Sequence, residues 1–211
     1  FSMIKIQKYA AVDIGSNAVR LLICSVISQN NHIVEVKKIS LVRVPIRLGL
    51  DSFLKNKIKI ENRNRLNDAM SAFKLLMKIH DVSKYKICAT SAMREAINSN
   101  DIISDIYSNT GLQIDIISGK DEASLIADTF FANNFNFNET YLFIDIGGGS
   151  TELSIIFNGV IIASKSFKLG TIRFLNDLVK KKSWTDYKKW IKTNTKEFNN
   201  IIIIGSGGNI N

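Results

Sequence analysis

The sequence predicts an α/β fold of two duplicated domains. The phrase Ala11-Val12-Asp13-Ile14-Gly15-Ser16-Asn17 in the first half returns as Phe143-Ile144-Asp145-Ile146-Gly147-Gly148-Gly149-Ser150-Thr151 in the second. Each phrase is a β-rich run that ends in Asp-Ile-Gly, turns on small residues and resumes as a second apolar run. Leu21 and Leu153 follow their aspartates at the same distance. Around each phrase the pattern reads strand, strand, strand, helix, strand. The 211 residues allow one large domain or two small ones, and 45% hydrophobic residues supply a core.

In the first half, Tyr9–Val12, Ala18–Ile27 and Ile33–Val44 read as strands, with Pro45 near the end of the third, where no ladder donor is needed. Residues 47–59 read as polar and irregular. Glu61–His80 reads as a helix, because Leu66, Ala69, Met70, Phe73, Leu76 and Met77 recur at three- and four-residue steps. Lys86–Thr90 is a short strand, Ser91–Asn98 and Asn100–Ser108 are helical, Gly111 is a helix stop and Leu112–Ile117 a strand. Ser118-Gly119-Lys120-Asp121 has the spacing of a capping box and opens a helix to about Asn133.

The second half restarts the order. Tyr141–Ile144, Glu152–Phe157 and Val160–Phe167 are strands, the last two joined by an Asn158-Gly159 hairpin signal. Helices are expected over Gly170–Lys181 and Ser183–Asn199, the latter capped by Ser183 and Asp186. Ile201–Ile204 reads as a buried strand that ends in Gly205-Ser206-Gly207-Gly208. The first half continues past the matching point, about Met93, with another helix, strand and helix. The second half is therefore expected to be incomplete at Asn211.

The net charge of +9 suits an anionic partner. The same excess of lysine beside asparagine and isoleucine also fits biased codon usage. Cys24 and Cys88 sit singly in apolar β-like runs and read as buried free thiols, which fits a reducing, cytoplasmic setting. No signal peptide and no membrane-spanning run is visible, so no membrane partner is expected. No recognition-helix or aromatic-stacking pattern supports nucleic-acid binding. His32 and His80 cluster with nothing, and Trp184 and Trp190 read as packing groups of an amphipathic helix.

The duplicated turns carry the chemistry. A carboxylate beside a small-residue turn, written twice, suggests two facing loops around one anionic, metal-bound ligand. Without bulky side chains, the backbone N–H groups of Gly15-Ser16-Asn17 and Gly147–Thr151 can converge on phosphate oxygens. Either turn alone also reads as an ordinary hairpin. Asp13 and Asp145 are hard carboxylates suited to Mg²⁺, with Mn²⁺ as the alternative. Glu152, one β-step beyond Ser150, reads either as a helper for metal or water or as a loop-capping acid.

These residues resemble the exopolyphosphatase / guanosine pentaphosphate phosphohydrolase (Ppx/GppA) family of the actin-like superfamily. The likeness runs in order through Ala11–Asn17 with Arg20, Arg47-Leu48-Gly49, Ala89-Thr90-Ser91-Ala92-Met93-Arg94-Glu95-Ala96, Ile117-Ser118-Gly119-Lys120-Asp121-Glu122-Ala123, Asp145–Glu152 and Gly205–Gly208. It implies two ribonuclease-H-like, actin-type domains with mixed sheets, residues 1–127 and 128–211, and an active site in the interdomain cleft. It implies a Mg²⁺-dependent hydrolase that releases terminal phosphate from inorganic polyphosphate or the 5′-phosphate of guanosine pentaphosphate. The family places the metal near the second turn, which favours Asp145 over Asp13. Its catalytic glutamate maps onto Glu122; without the resemblance, Asp121 and Glu122 read as first-turn helix acids.

Arg94 reads as a guanidinium fork for phosphate or as an ion pair with Glu95. Arg20 reads equally as a ligand or an ion pair. Gly207 and Gly208 extend the phosphate-binding set, while Asn209 stands where the family has threonine or serine. The resemblance leaves a homodimer open. The competing reading is a non-catalytic sensor that binds guanosine tetra- or pentaphosphate. A superfamily kinase is disfavoured by the Ser-Gly-Lys-Asp-Glu-Ala segment.

Overall fold

The computed structural model describes residues 4–30, 32–131, 136 and 138–208, with 126–131 described as backbone only. The chain divides into two compact units, Phe1–Ile116 and Ile117–Asn211. The boundary expected near Ala127 falls inside a helix, α5 (Gly119–Phe131), that belongs to the second unit because it packs against that unit's strands.

The first unit runs β1 (Ile4–Ile14), β2 (Val19–Gln29), β3 (His32–Val44), α1 (Leu48–Lys55), α2 (Ile60–Ile79), β4 (Lys84–Ala89), α3 (Ser91–Glu95), α4 (Ser99–Thr110) and β5 (Asp115–Ile116). Its sheet has the order β3-β2-β1-β4-β5, antiparallel on the β3 side of β1 and parallel beyond it. The second unit follows α5 with β6 (Thr140–Ile146), β7 (Thr151–Phe157), β8 (Val160–Phe167), α6 (Thr171–Leu175), α7 (Lys181–Thr195) and β9 (Ile202–Ser206). Its sheet order is β8-β7-β6-β9, with β6 and β9 parallel. The frame β1-β2-β3…β4 is thus repeated as β6-β7-β8…β9 in order and in direction, as the duplicated phrases predict.

The period-two alternation of the paired strands sets each core. In the first unit Val12, Ile14, Val19, Leu21 and Ile23 are buried, and α2 contributes Leu66, Met70, Phe73 and Met77 from one stripe. Each such side chain is worth about 1.5–3 kcal/mol on burial. In the second unit Leu142, Leu153, Ile155 and Phe167 form one cluster, covered by Tyr187, Trp190 and Ile191 of α7. Tyr141, Phe143 and Ile156 point to the opposite face. That face is covered by α5, which packs against β7 and β8.

Several expectations are corrected. Residues 47–59 are not irregular: they hold α1, which buries Leu48, Gly49 and Phe53. A helix this short shows too little periodicity to be read from sequence. Asp51 of α1 is buried because it accepts from the Lys59 backbone N–H at 3.1 Å and from Asn62 at 2.8 Å. The expected helix over Gly170–Lys181 is only α6, ended near Asp177 in the left-handed region at φ 56°. Ser183 does not cap α7, because that helix has already begun and Lys180 holds the cap position. β1 starts at Ile4 rather than Tyr9, and β5 is confined to Asp115–Ile116. Ile202 and Ile203 of β9 are exposed at a sheet edge rather than buried. Edge strand β3 likewise exposes Ile33, Val34, Val36 and Leu41.

Candidate phosphate-binding site

The two hairpins share one register. Asp13 lies opposite Arg20 and Ile14 opposite Val19; Asp145 lies opposite Glu152 and Ile146 opposite Thr151. Four residues bridge each pair of strands, closed by the same bond. Gly15 N–H donates to the Ala18 carbonyl at 3.1 Å, and Gly147 N–H to the Ser150 carbonyl at 2.9 Å.

The helix after each third strand clasps its turn. In the first turn, Gly49 N–H donates to the Ser16 carbonyl at 2.8 Å and Arg47 N–H to the Asn17 carbonyl at 2.9 Å. In the second, Thr171 N–H reaches the Gly147 carbonyl at 3.1 Å, Ile172 N–H the Gly148 carbonyl at 2.9 Å, and Arg173 Nε the Gly149 carbonyl at 2.7 Å. A trans peptide points its N–H away from its carbonyl. The amides of Gly148, Gly149 and Ser150 therefore turn away from α6 together, and those of Asn17 and Ala18 in the first turn point away from the start of α1. Among the described residues these amides have no backbone acceptor. Such converging donors form a nest for an anion.

Two expected phosphate ligands use their hydroxyls elsewhere. Ser16 Oγ and Ser91 Oγ are 2.8 Å apart and buried, and Thr151 donates to the Leu169 carbonyl. Ser16 thereby ties the first turn to α3, as does the Thr90 N–H on the Ile14 carbonyl at 3.2 Å. This brings Arg94, in the last turn of α3 and half-buried, onto the element docked at that turn. Gly207, at φ 120°, sits against the backbone of Ile146, where any Cβ would collide with the carbonyl oxygen. The Gly205–Gly208 run thus lies at the end of β6, beside the second turn. Gly208 is exposed, and Asn209 lies outside the described residues.

The carboxylates differ between units. Asp13 is paired with Arg20 at 3.4 Å, both about half exposed. Asp145 is partly exposed and faces Glu152 across the ladder, with Ser206 on its other side. Glu152 is only 2% exposed and accepts from Ser166 Oγ at 2.7 Å. Two carboxylates directly opposite each other repel, and a cation between them offsets that cost. Their hard oxygens fit Mg²⁺, which binds through one or two carboxylates and otherwise keeps water or phosphate oxygens. Among the described residues no group of three or more His, Cys, Asp or Glu gathers at one point, so a metal would rest on this pair.

Glu122 lies in the first turn of α5, on the helix that covers the same sheet face as Asp145 and Glu152. The capping box ahead of it is formed: Asp121 N–H donates to Ser118 Oγ at 3.2 Å, and Ser118 Oγ donates to Asp121 Oδ2 at 2.7 Å. Asp121 is thereby occupied, while the next residue, Glu122, is half-buried with Oε2 shielded from solvent. The opposite face of the sheet holds an apolar cavity of about 350 Å³ among Ile146, Thr151, Phe174, Trp184 and Tyr187. Burial there pushes the Tyr187 phenol up.

Two contributors were missed from sequence. Gly170 packs so closely on Gly148 and Gly149 that a Cβ would overlap their backbone. Arg173 is buried and supplies the third clasp. A signal for Gly170 was present, since Lys168-Leu169-Gly170 follows the third strand as Arg47-Leu48-Gly49 does.

A family model described as the Ppx/GppA phosphatase family matches residues 26–200. The chain is 31% identical over 218 residues to a bifunctional 3-dehydroquinate synthase/phosphatase of Fusobacterium nucleatum, covering 94% of this chain and 32% of that protein. It is 28% identical over 167 residues to a guanosine-5′-triphosphate,3′-diphosphate pyrophosphatase of Photobacterium profundum, covering 79% of this chain and 32% of that protein. The chain thus spans about a third of the length of the curated relatives it matches. An exopolyphosphatase structure from Cytophaga hutchinsonii superposes with a TM-score of 0.80 at 22% identity, over 94% of this chain and 66% of that one. An Aquifex aeolicus Ppx/GppA family structure does so with a TM-score of 0.75 at 19% identity, over 97% and 67%. These likenesses show the duplicated actin-like α/β fold. With the family match, they lead to one assignment: the chain belongs to the Ppx/GppA phosphatase family.

Proposed function

We propose that this protein is a Mg²⁺-dependent phosphoanhydride hydrolase that releases terminal phosphate from inorganic polyphosphate or the 5′-phosphate from guanosine pentaphosphate. The observation that carries the reading is the second turn. Three carbonyls tied to α6 and Arg173 turn three amides outward, next to a pair of facing carboxylates.

In this reading the amides of Gly148, Gly149 and Ser150 hold phosphoryl oxygens on the second unit. On the first unit, the amides of Asn17 and Ala18 offer a second nest and Arg94 a guanidinium fork. Asp145, with Glu152 behind it, would hold Mg²⁺, which when bound neutralises charge on the phosphoryl oxygens. Glu122 accepts the proton of the attacking water, whose oxygen bonds to phosphorus as the anhydride oxygen leaves. Cys24 and Cys88 share no disulfide, which fits work in the cytoplasm.

The test is phosphate release from long-chain polyphosphate and from guanosine pentaphosphate, with Mg²⁺, for the protein and its Glu122→Gln variant. Loss of a general base is expected to slow release by about 10²–10⁴-fold. No release from either substrate by the unaltered protein sinks the hydrolase reading. Tight binding of guanosine tetraphosphate without turnover would then identify a sensor.

A further inference from the structure

The clasp on the second turn is built from unlike parts. Thr171 and Ile172 act through backbone N–H groups, which almost any side chain there would leave in place. Arg173 acts through its side chain: it is 6% exposed, and its Nε reaches back 24 residues to the Gly149 carbonyl at 2.7 Å. Unit 1 meets the equivalent acceptor, the Asn17 carbonyl, with the backbone N–H of Arg47. A charged group has therefore been placed in the core where a backbone amide serves the other turn.

Burying a guanidinium is costly unless it is bonded. Here it engages the last of three successive glycine peptides. Glycine has no Cβ to resist rotation, so without this bond the Gly149–Ser150 peptide can flip about Gly149. A flip would aim a carbonyl, not an N–H, at the anion.

We infer that Arg173 is a positioning residue: its guanidinium, bonded to the Gly149 carbonyl, locks that peptide so that the Ser150 N–H faces the bound phosphate. It acts through Gly149 and touches no substrate. The charge on the carbonyl also polarises the peptide, which makes the Ser150 N–H a stronger donor. The inference rests on the phosphate-binding reading of the second turn.

The experiment compares the full protein with Arg173→Met and Arg173→Lys. Tripolyphosphate binding is followed by calorimetry and by the Ser150 amide signal in ¹⁵N-resolved NMR, and KM and kcat for phosphate release are measured alongside thermal midpoints. Arg173→Met is expected to weaken tripolyphosphate binding about tenfold or more and to raise KM accordingly. The Ser150 amide should then lose most of its ligand-induced shift. Arg173→Lys, which keeps a cation but not the fork, should fall between the two. If Arg173→Met does not fold, Arg173→Lys decides: affinity and a Ser150 shift equal to the unaltered protein overturn the inference. So do variants that lose thermal stability yet bind as tightly as before, since Arg173 is then only a core residue. An unaltered protein that binds no tripolyphosphate overturns the phosphate reading as well, which separates the two failures.

Discussion

The first and second turns share length, register and closing bond, yet their surroundings are opposite in charge and cover. On the first, Asp13 faces Arg20 on a sheet face open to water, and the pair neutralises itself. On the second, Asp145 faces Glu152 on a face covered by α5, and two negative charges stand together with one nearly sealed from solvent. The backbone clasp differs in the same sense. Two carbonyls are held in the first turn; three are held in the second, one of them by a buried arginine. Duplication supplied the same scaffold twice. Divergence at one ladder position, Arg20 against Glu152, left one copy with an ion pair and the other with two facing carboxylates.

The sharpest way to break the comparison is at the glycines. In Gly170→Ala the new Cβ overlaps the backbone of Gly148 and Gly149, which has nowhere to go. In Gly15→Ala it meets the Ala18 carbonyl oxygen at 3.0 Å, which a small shift relieves. Urea unfolding should show Gly170→Ala losing about 3 kcal/mol or more and Gly15→Ala clearly less. Equal midpoints would mean that the second turn is no more tightly packed than the first.

The next test concerns the carboxylates. Glu152→Gln keeps the acceptor for Ser166 but removes the second charge. Mg²⁺ affinity, read by calorimetry, should fall about 10–100-fold, the range for groups that support a bound metal. The same change should raise the thermal midpoint in metal-free buffer, because the repulsion with Asp145 disappears. A lower metal-free midpoint would show that Glu152 is held by its bonds more than it is opposed by its neighbour.

The smallest effect belongs to the first turn. Arg20→Gln removes an exposed pair and should cost no more than about 1 kcal/mol, shrinking further as salt is added. A larger loss in a denaturant titration would mean that the first hairpin depends on its charges as much as the second does.

The duplicated phrases made the frame legible, because period-two alternation and equal spacing from Asp to Leu fix both hairpins and their register. Asp145 and Glu152 stood out singly in the sequence, and their meeting across the ladder appeared only with the register of the hairpin. Glu122 was not readable from periodicity or charge, since a first-turn acid is ordinary; only the resemblance singled it out. Arg173 had no local signature, because its partner lies a strand pair away and the bond exists only once α6 has docked. The helix α1 was lost for want of length, and the exposure of Ile202 and Ile203 because an apolar run does not say whether it lies at an edge. Ser16 and Thr151 were expected as phosphate ligands, but their hydroxyls hold neighbouring elements, a use that only the docked fold reveals.

Edge strand β3 has a practical consequence for handling the protein. Its apolar side chains lie beside Lys37, Lys38 and Arg43, and like charges of this kind keep one molecule's open edge from zipping onto another's. Their reach shrinks as ions accumulate. Purification in strong brine would therefore invite the very clumping that brine is often added to prevent, and dilute buffer is the gentler home for this chain.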